Sequence, residues 1–387
     1  MPAPVRIAVT SAVRHAGASE FSGYLRLVDL ETGDVSLTTT VPESSRRADD
    51  PNPRGGLRGA RGVSTHGDRL VLANSERLFV FDSTWALVGD TTNPLMGAIH
   101  DVLAREDGVW IACSACDLLL KVDWSGNPVR TWTWRADPDL VAALGFDSVP
   151  PFDPSIDHRD PRIAQQGVHN IVHLNGVGQT PQGLLLSFGR VLDPAVVRAR
   201  LRKARLSRLA GRVGLSRPLP TRETPVPASQ IPGSSHAIVL LPDHGAPRVL
   251  LHRSGTSVPN HNVDMLDRWL VYLDSNGGRL VVWDPVAGEE RTAVPVPGTP
   301  SFARGLLRVG ERRYLVGSQA PTALHLVDLD RERVVSSLEL GGLPNESVYG
   351  LCPVPESFGW PPPAGSLFAE SPPSAAGRYF SSSHQGM

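Results

Sequence analysis

A six-bladed β-propeller with long insertions on one face is the fold this sequence predicts. Three observations predict it: a β-rich unit recurring about every 40 residues, a polar or aromatic signature at the head of each unit, and complementary fragments near the two ends of the chain.

The recurring unit is clearest in a strand that ends in aspartate: YLRLVDLETG from Tyr24, RLFVFD from Arg77, LLLKVD from Leu118, RLVVWDP from Arg279 and LHLVDLD from Leu324. Each follows another β-rich run, among them RIAVTSAV, RLVLANSE, GVWIACSA, RWLVYLDSNG and RRYLVGSQA, with GLLLSFGR as a further example. Apolar residues alternating between Gly, Asp, Asn and Ser turns mark short antiparallel strands. Composition agrees, since 37 glycines and 35 prolines among 387 residues suit many turns and no helical bundle.

Upstream of each pair lies the signature: Arg61-Gly-Val, His100-Asp-Val, His169-Asn-Ile, His261-Asn-Val, Arg304-Gly-Leu and Tyr349-Gly-Leu. One large polar or aromatic residue precedes Gly, Asp or Asn and then an aliphatic, and each copy is expected to open a blade. The last copy, SVYGLCPVP, lacks downstream strands, whereas the N-terminal RIAVTSAV lacks an upstream one. Ser347 to Pro355 should therefore supply the innermost strand of a blade whose outer three come from residues 5 to 42, closing the ring and removing free sheet edges. In broad plan, residues 5 to 355 resemble six-bladed propellers of the NHL-repeat type.

The expected organisation is one propeller domain over 1–355 with insertions at 43–60, 136–167 and 192–235, then a Pro-, Ser- and Gly-rich tail, 356–387, expected to be poorly ordered. In an antiparallel blade the start of the innermost strand, the end of the second and the start of the third share a face. All three insertions fall on that face, with the aligned residues, Asn74, Ser114, Asp274 and His236. Loops this long in a compact fold commonly serve as lids. Within the third, residues 193–214 read as a basic amphipathic helix, either a contact for an anionic partner or a lid helix with a solvated basic face.

A net charge of −1 gives no whole-protein preference for nucleic acid or anionic membrane, and no nucleic-acid partner is expected. MPAPVRIAVTSAV lacks a basic segment followed by a long apolar core, so neither signal peptide nor membrane span is expected, and a cytoplasmic location follows. Cys113, Cys116 and Cys352 are too few for a disulfide framework, which fits a reducing compartment. The Cys113-Ser-Ala-Cys116 pair stands without a second pair or a redox fold around it, and ordinary half-buried thiols are the expectation.

His100, His169 and His261 occupy one register where innermost strands converge on the axis. Neutral imidazoles there could present nitrogens to one divalent ion, zinc or iron, at about 2.0–2.1 Å and leave positions open, as catalytic sites do. Asp101, Asn170 and Asn262, the next residues, could orient the rings. His236 is a candidate fourth ligand on the same face, and His173 would lie further along the channel. Arg61 and Arg304 suit a carboxylate or phosphate, and Tyr349 beside such cations could serve as a general base.

Three histidines with arginines and a tyrosine in a six-bladed propeller resemble the site of the peptidyl-hydroxyglycine amidating lyases. The resemblance implies His100, His169 and His261 as ligands, Tyr349 as base, and Arg61 and Arg304 as substrate clamps. Here the histidines come from adjacent blades and the insertions are long, so the type of site carries over and the substrate does not. Oligogalacturonate lyases and carotenoid oxygenases, also propellers with metal-binding histidines, show that such sites support elimination and oxygen chemistry.

Two classes of function follow. One is a metal-dependent enzyme acting on a small or medium anionic molecule by lyase or hydrolase chemistry, with iron-dependent oxygenation as its variant. The other is a non-catalytic propeller that binds a ligand or protein. Oligomeric state is not legible in the sequence.

Overall fold

The computed structural model describes residues 6–17, 20–50, 57–166, 168–212, 234–254, 259–343, 345–363 and 367–368. It contains six four-stranded antiparallel sheets arranged as the blades of a propeller. Blade 1 is Glu346–Pro353, Arg6–Val13, Gly23–Asp29 and Val35–Thr40, reading outward from the axis. The innermost strands of blades 2 to 6 are Val63–His66, Ile99–Arg105, Leu174–Thr180, Asn260–Leu266 and Arg304–Arg308.

The expected closure is present. Ile7 pairs with Pro353 and Val13 with Glu346, so the two ends of the chain share one sheet. Glu346 carries the only carboxylate of a fully buried trio, accepting hydrogen bonds from Ser11 and Arg26, which fastens the closing strand by charge as well as by its ladder.

The recurring aspartate has a local cause. Asp29, Asp82, Asp123, Asp284 and Asp328 each turn a side-chain oxygen onto backbone N–H groups two to four residues ahead, as Asp82 does with Thr84 and Ala86. The carboxylate satisfies donors that a tight turn would leave bare. The core is divided in the same rhythm: six apolar clusters each lie between two neighbouring blades, such as Leu72, Phe79 and Phe81 with Leu25 and Leu27.

Two expectations need amendment. The start of the tail is not loose: Phe358, Leu367 and Phe368 are buried, Phe368 standing edge-on to Phe79 and Phe81 at 5.3 Å and Phe358 edge-on to Trp85 at 5.0 Å. Three apolar residues suffice to dock a segment whose average composition is polar; residues 364–366 and 369–387 lie outside the described part. Cys113 and Cys116 are fully rather than half buried, and burial drives both thiols up, away from reactivity.

The basic segment is a helix over Pro194–Arg212, opened by the Asp193 carboxylate accepting from Ala195 N–H at 2.6 Å. Val197 and Leu201 seat it against blades 3 and 4, while Leu206 remains exposed. Among the described residues no helix is long and apolar enough to cross a membrane.

Candidate axial site

At the head of the innermost strands the ladder slips by one residue. In blade 3, Ile99 faces Cys113 and Asp101 faces Ala112, leaving His100 as the extra residue. The same slip leaves Asn175, Asn262, Gly305 and Tyr349 as extra residues in blades 4, 5, 6 and 1. In blade 2, Arg61 donates to the Ala73 carbonyl while Ala73 donates to Gly62, two residues against one. A bulge bends its strand and re-aims the side chains around it; the extra residue is itself axial in blades 1 and 3, and directly follows the axial residue in blades 5 and 6.

Two imidazoles are held by one recurring device. Ser275 donates its hydroxyl to the Ala303 carbonyl at 2.6 Å and lies 2.6 Å from Nδ1 of His261. With its proton spent, the hydroxyl accepts, so Nδ1 carries hydrogen and Nε2 a lone pair. Nδ1 of His100 lies 2.9 Å from the Ala98 carbonyl, an acceptor only, and 2.9 Å from Ser114, which also donates to Ala98. Its Nε2 is again the basic nitrogen. Ser114 and Ser275 both stand one residue past a second strand; of the expected residues, Asn74 and Ser114 fall at that point and Asp274 one residue short.

His173, rather than His169, provides the third axial imidazole. Its ring meets that of His100 edge-on at 4.7 Å, and its Nδ1 lies 3.2 Å from the Asn170 side chain. Blade 4 begins only at Leu174, so the residue equivalent to His100 by pairing is Asn175, followed by Gly176 and Val177 in the pattern of the other blades. His169 lies six residues upstream in a loop, 5.4 Å from the ring of His158. That loop is pinned by the buried Asp117 carboxylate, which accepts from the N–H groups of Ile171, Val172 and Leu174 at 2.5, 2.9 and 3.3 Å and pairs with buried Arg135 at 3.3 Å. His173 turns toward His100 through a left-handed backbone, φ 51°.

Of the residues expected to orient the rings, only Asn170 touches one. Asp101 accepts from Val177 N–H at 3.2 Å and Asn262 from Gly305 N–H at 2.9 Å, so both tie an innermost strand to the next blade. His236 is buried between blades 4 and 5, 5.8 Å from the Tyr272 ring. The charges acting on it are Asp274, Arg253 and His252, not the axial groups, and burial brings it down to about 4.

Opposite the imidazoles stand Arg61, Arg304 and Tyr349, all buried. Nη1 of Arg61 donates to the Tyr349 hydroxyl at 2.6 Å, and the Arg304 guanidinium lies 3.6 Å over the Tyr349 ring. Tyr349 approaches His100 at 5.9 Å, joining the two halves. Burial, then the neighbouring cations, push His100, His173 and His261 well below the ordinary histidine range, so all three are neutral at pH 7. Asp101 is raised to about 7 by burial. Among the described residues, no three His, Cys, Asp or Glu side chains are gathered closely enough, as placed, to grip a metal ion.

Fold and site together define a six-bladed propeller whose axis carries neutral imidazoles facing buried guanidinium groups and a phenol. No family model matches the sequence, and no curated protein matches it. Among solved structures, a protein of unknown function from Bacteroides caccae is similar at 10% identity and TM-score 0.52, over 91% of this chain and 100% of that one. A nidogen/laminin complex is similar at 9% identity and TM-score 0.49, over 89% and 97%. A virginiamycin B lyase from Staphylococcus aureus is similar at 10% identity and TM-score 0.42, over 78% and 74%. At such identities the likeness is one of fold alone.

Proposed function

We propose that the axial site binds a small or medium anionic organic molecule and acts on it as an enzyme of the lyase or hydrolase type. The observation that carries this is the placing of Arg304: a buried guanidinium over the Tyr349 ring, beside Arg61 and across from neutral imidazoles. Burying cationic groups together costs free energy that a bound anion recovers.

Arg61 and Arg304 hold the anion. Arg61 occupies an acceptor lone pair of Tyr349, which leaves the phenolic proton free to pass to a substrate oxygen and be returned. His100 and His261, fixed through Nδ1, keep Nε2 basic, the orientation metal ligands also adopt. A divalent ion, zinc or iron, held by His100, His261 and His173 is the second element of the reading; when bound it would polarise a substrate oxygen. The rings are not preassembled into a cage, so such an ion would have to draw them together.

Metal analysis and turnover of phosphorylated and carboxylated substrates by the purified full chain test this. Stoichiometric zinc or iron should fall by at least ~10-fold in His100→Ala, His173→Ala and His261→Ala, since each removes a direct ligand. Arg304→Gln and Tyr349→Phe should keep the ion and lose turnover. Unchanged metal content in all three histidine variants removes the ion from the reading; no effect of Arg304→Gln on binding any anion removes the site.

A further inference from the structure

Two further guanidinium groups belong to this cluster. Arg58, in the segment leading into blade 2, has a buried Nη1 that meets no hydrogen-bond partner among the described residues. Arg14, just past the strand Arg6–Val13, stacks 3.7 Å over Phe302, whose ring also faces His261 and Arg304 at 5.9 Å each. Arg58 and Arg304 both feel the like charges of Arg61 and Arg14: burial first, then these neighbours, bring Arg58 down to about 9 and Arg304 to about 10. Tyr349 and Asp50 act the other way on Arg58, and Tyr349 alone does so on Arg304.

We propose that the ligand carries a tetrahedral dianionic group, a phosphate monoester or phosphonate, seated among Arg58, Arg61 and Arg304 with the Tyr349 hydroxyl as a further contact. The proposal rests on the anion-binding reading above and narrows it. A carboxylate is planar and carries one charge, and a single bidentate guanidinium already pairs with both of its oxygens. The arginines here arrive from separate elements: Arg58 and Arg61 from the entry to blade 2, Arg304 from the head of blade 6, and Arg14 from the end of a blade 1 strand. Guanidinium groups converging from different directions match three oxygens diverging from one phosphorus, and two negative charges offset more of the cluster than one. The unmet Nη1 of Arg58 is the donor such an oxygen would satisfy.

Phenyl phosphate and benzoate share a ring and differ in head group. Titrated calorimetrically into the full chain at pH 7.5, phenyl phosphate should bind at least ~10-fold more tightly. Arg58→Gln should weaken phenyl phosphate by ~10-fold or more and benzoate much less, and Arg58→Lys should recover part of the loss. Should Arg58→Gln prove unfolded by circular dichroism, the salt dependence of the unaltered protein decides: phenyl phosphate must show the steeper loss with sodium chloride. Equal or tighter binding of benzoate, an Arg58→Gln protein with undiminished phosphate affinity, or equal salt slopes overturns the dianion assignment while leaving an anion site. Binding of neither probe overturns this proposal and the anion-binding reading together.

Discussion

His100 and His261 reach the axis by one route and His173 by another. The first two sit at strand heads, each fixed by a serine one residue past the second strand of its blade, Ser114 bonded to the Ala98 carbonyl of the same blade and Ser275 to the Ala303 carbonyl at the entry to the next. His173 sits at the end of an insertion, held by Asn170 and by a loop folded onto the carboxylate of Asp117. The tail shows the same contrast, with Phe358 and Phe368 packed on blades that are complete without them. Repetition supplies the register, and segments outside the repeat supply what differs between blades.

If the appended segments matter energetically, deleting residues 356–387 should have the largest effect. Phe358, Leu367 and Phe368 would be lost from the core, and at about 1.5–3 kcal/mol each the loss in urea unfolding should be about 5 kcal/mol. A truncated chain that melts like the full one would show the docking to be idle. Asp117→Ala should cost about 3–5 kcal/mol, because it strips three N–H donors and leaves Arg135 buried without its carboxylate. It should also displace His173, read as loss of the His100–His173 contact by NMR; a loss below about 1 kcal/mol would make the loop self-supporting.

Acid should weaken the protein at a smaller rate. Below about pH 6.5 the unfolded chain protonates its histidines, while His100, His173, His261 and His236, all depressed by burial, stay neutral. The unfolded state then binds more protons, so stability, complete above about 6.5, falls as pH drops, by up to about 1.4 kcal/mol per pH unit per imidazole. Asp101 and Asp117, both raised by burial, act in the opposite sense, two groups against these four and the likewise depressed His158, His252 and His325. Unchanged urea midpoints between pH 7 and 5 would contradict this. Ser275→Ala should cost only about 1 kcal/mol and loosen one ring. Smallest of all, His169→Ala should leave anion binding intact; a tenfold loss of binding would return His169 to the site.

The sequence carried the blades, the closure and five of the axial residues because strand, turn and bulge recur with the same residue types. It misplaced the third imidazole because HNIVHLNGV holds the blade-opening pattern twice, as His169-Asn-Ile and Asn175-Gly-Val. Which copy enters the sheet is decided by Asp117, more than fifty residues away, and long-range pinning leaves no periodic trace. Arg14 and Arg58 escaped notice because they lie beside repeats, not in them. Ser275 was within reach, since it matches Ser114 once second strands are aligned at their ends.

The closing sheet also sets a timetable. Thr10 and Gly350 are neighbours in space but 340 positions apart in the chain, so the strand Arg6–Val13 leaves the ribosome long before its inner partner exists. At roughly 5–20 residues per second, its open edge waits roughly 20–70 s. Throughout that interval blades 2 to 6 can form from local hairpins while the ring stays an open arc, and a nascent chain stalled before Glu346 would present an unpaired apolar strand to chaperones or to another copy of itself.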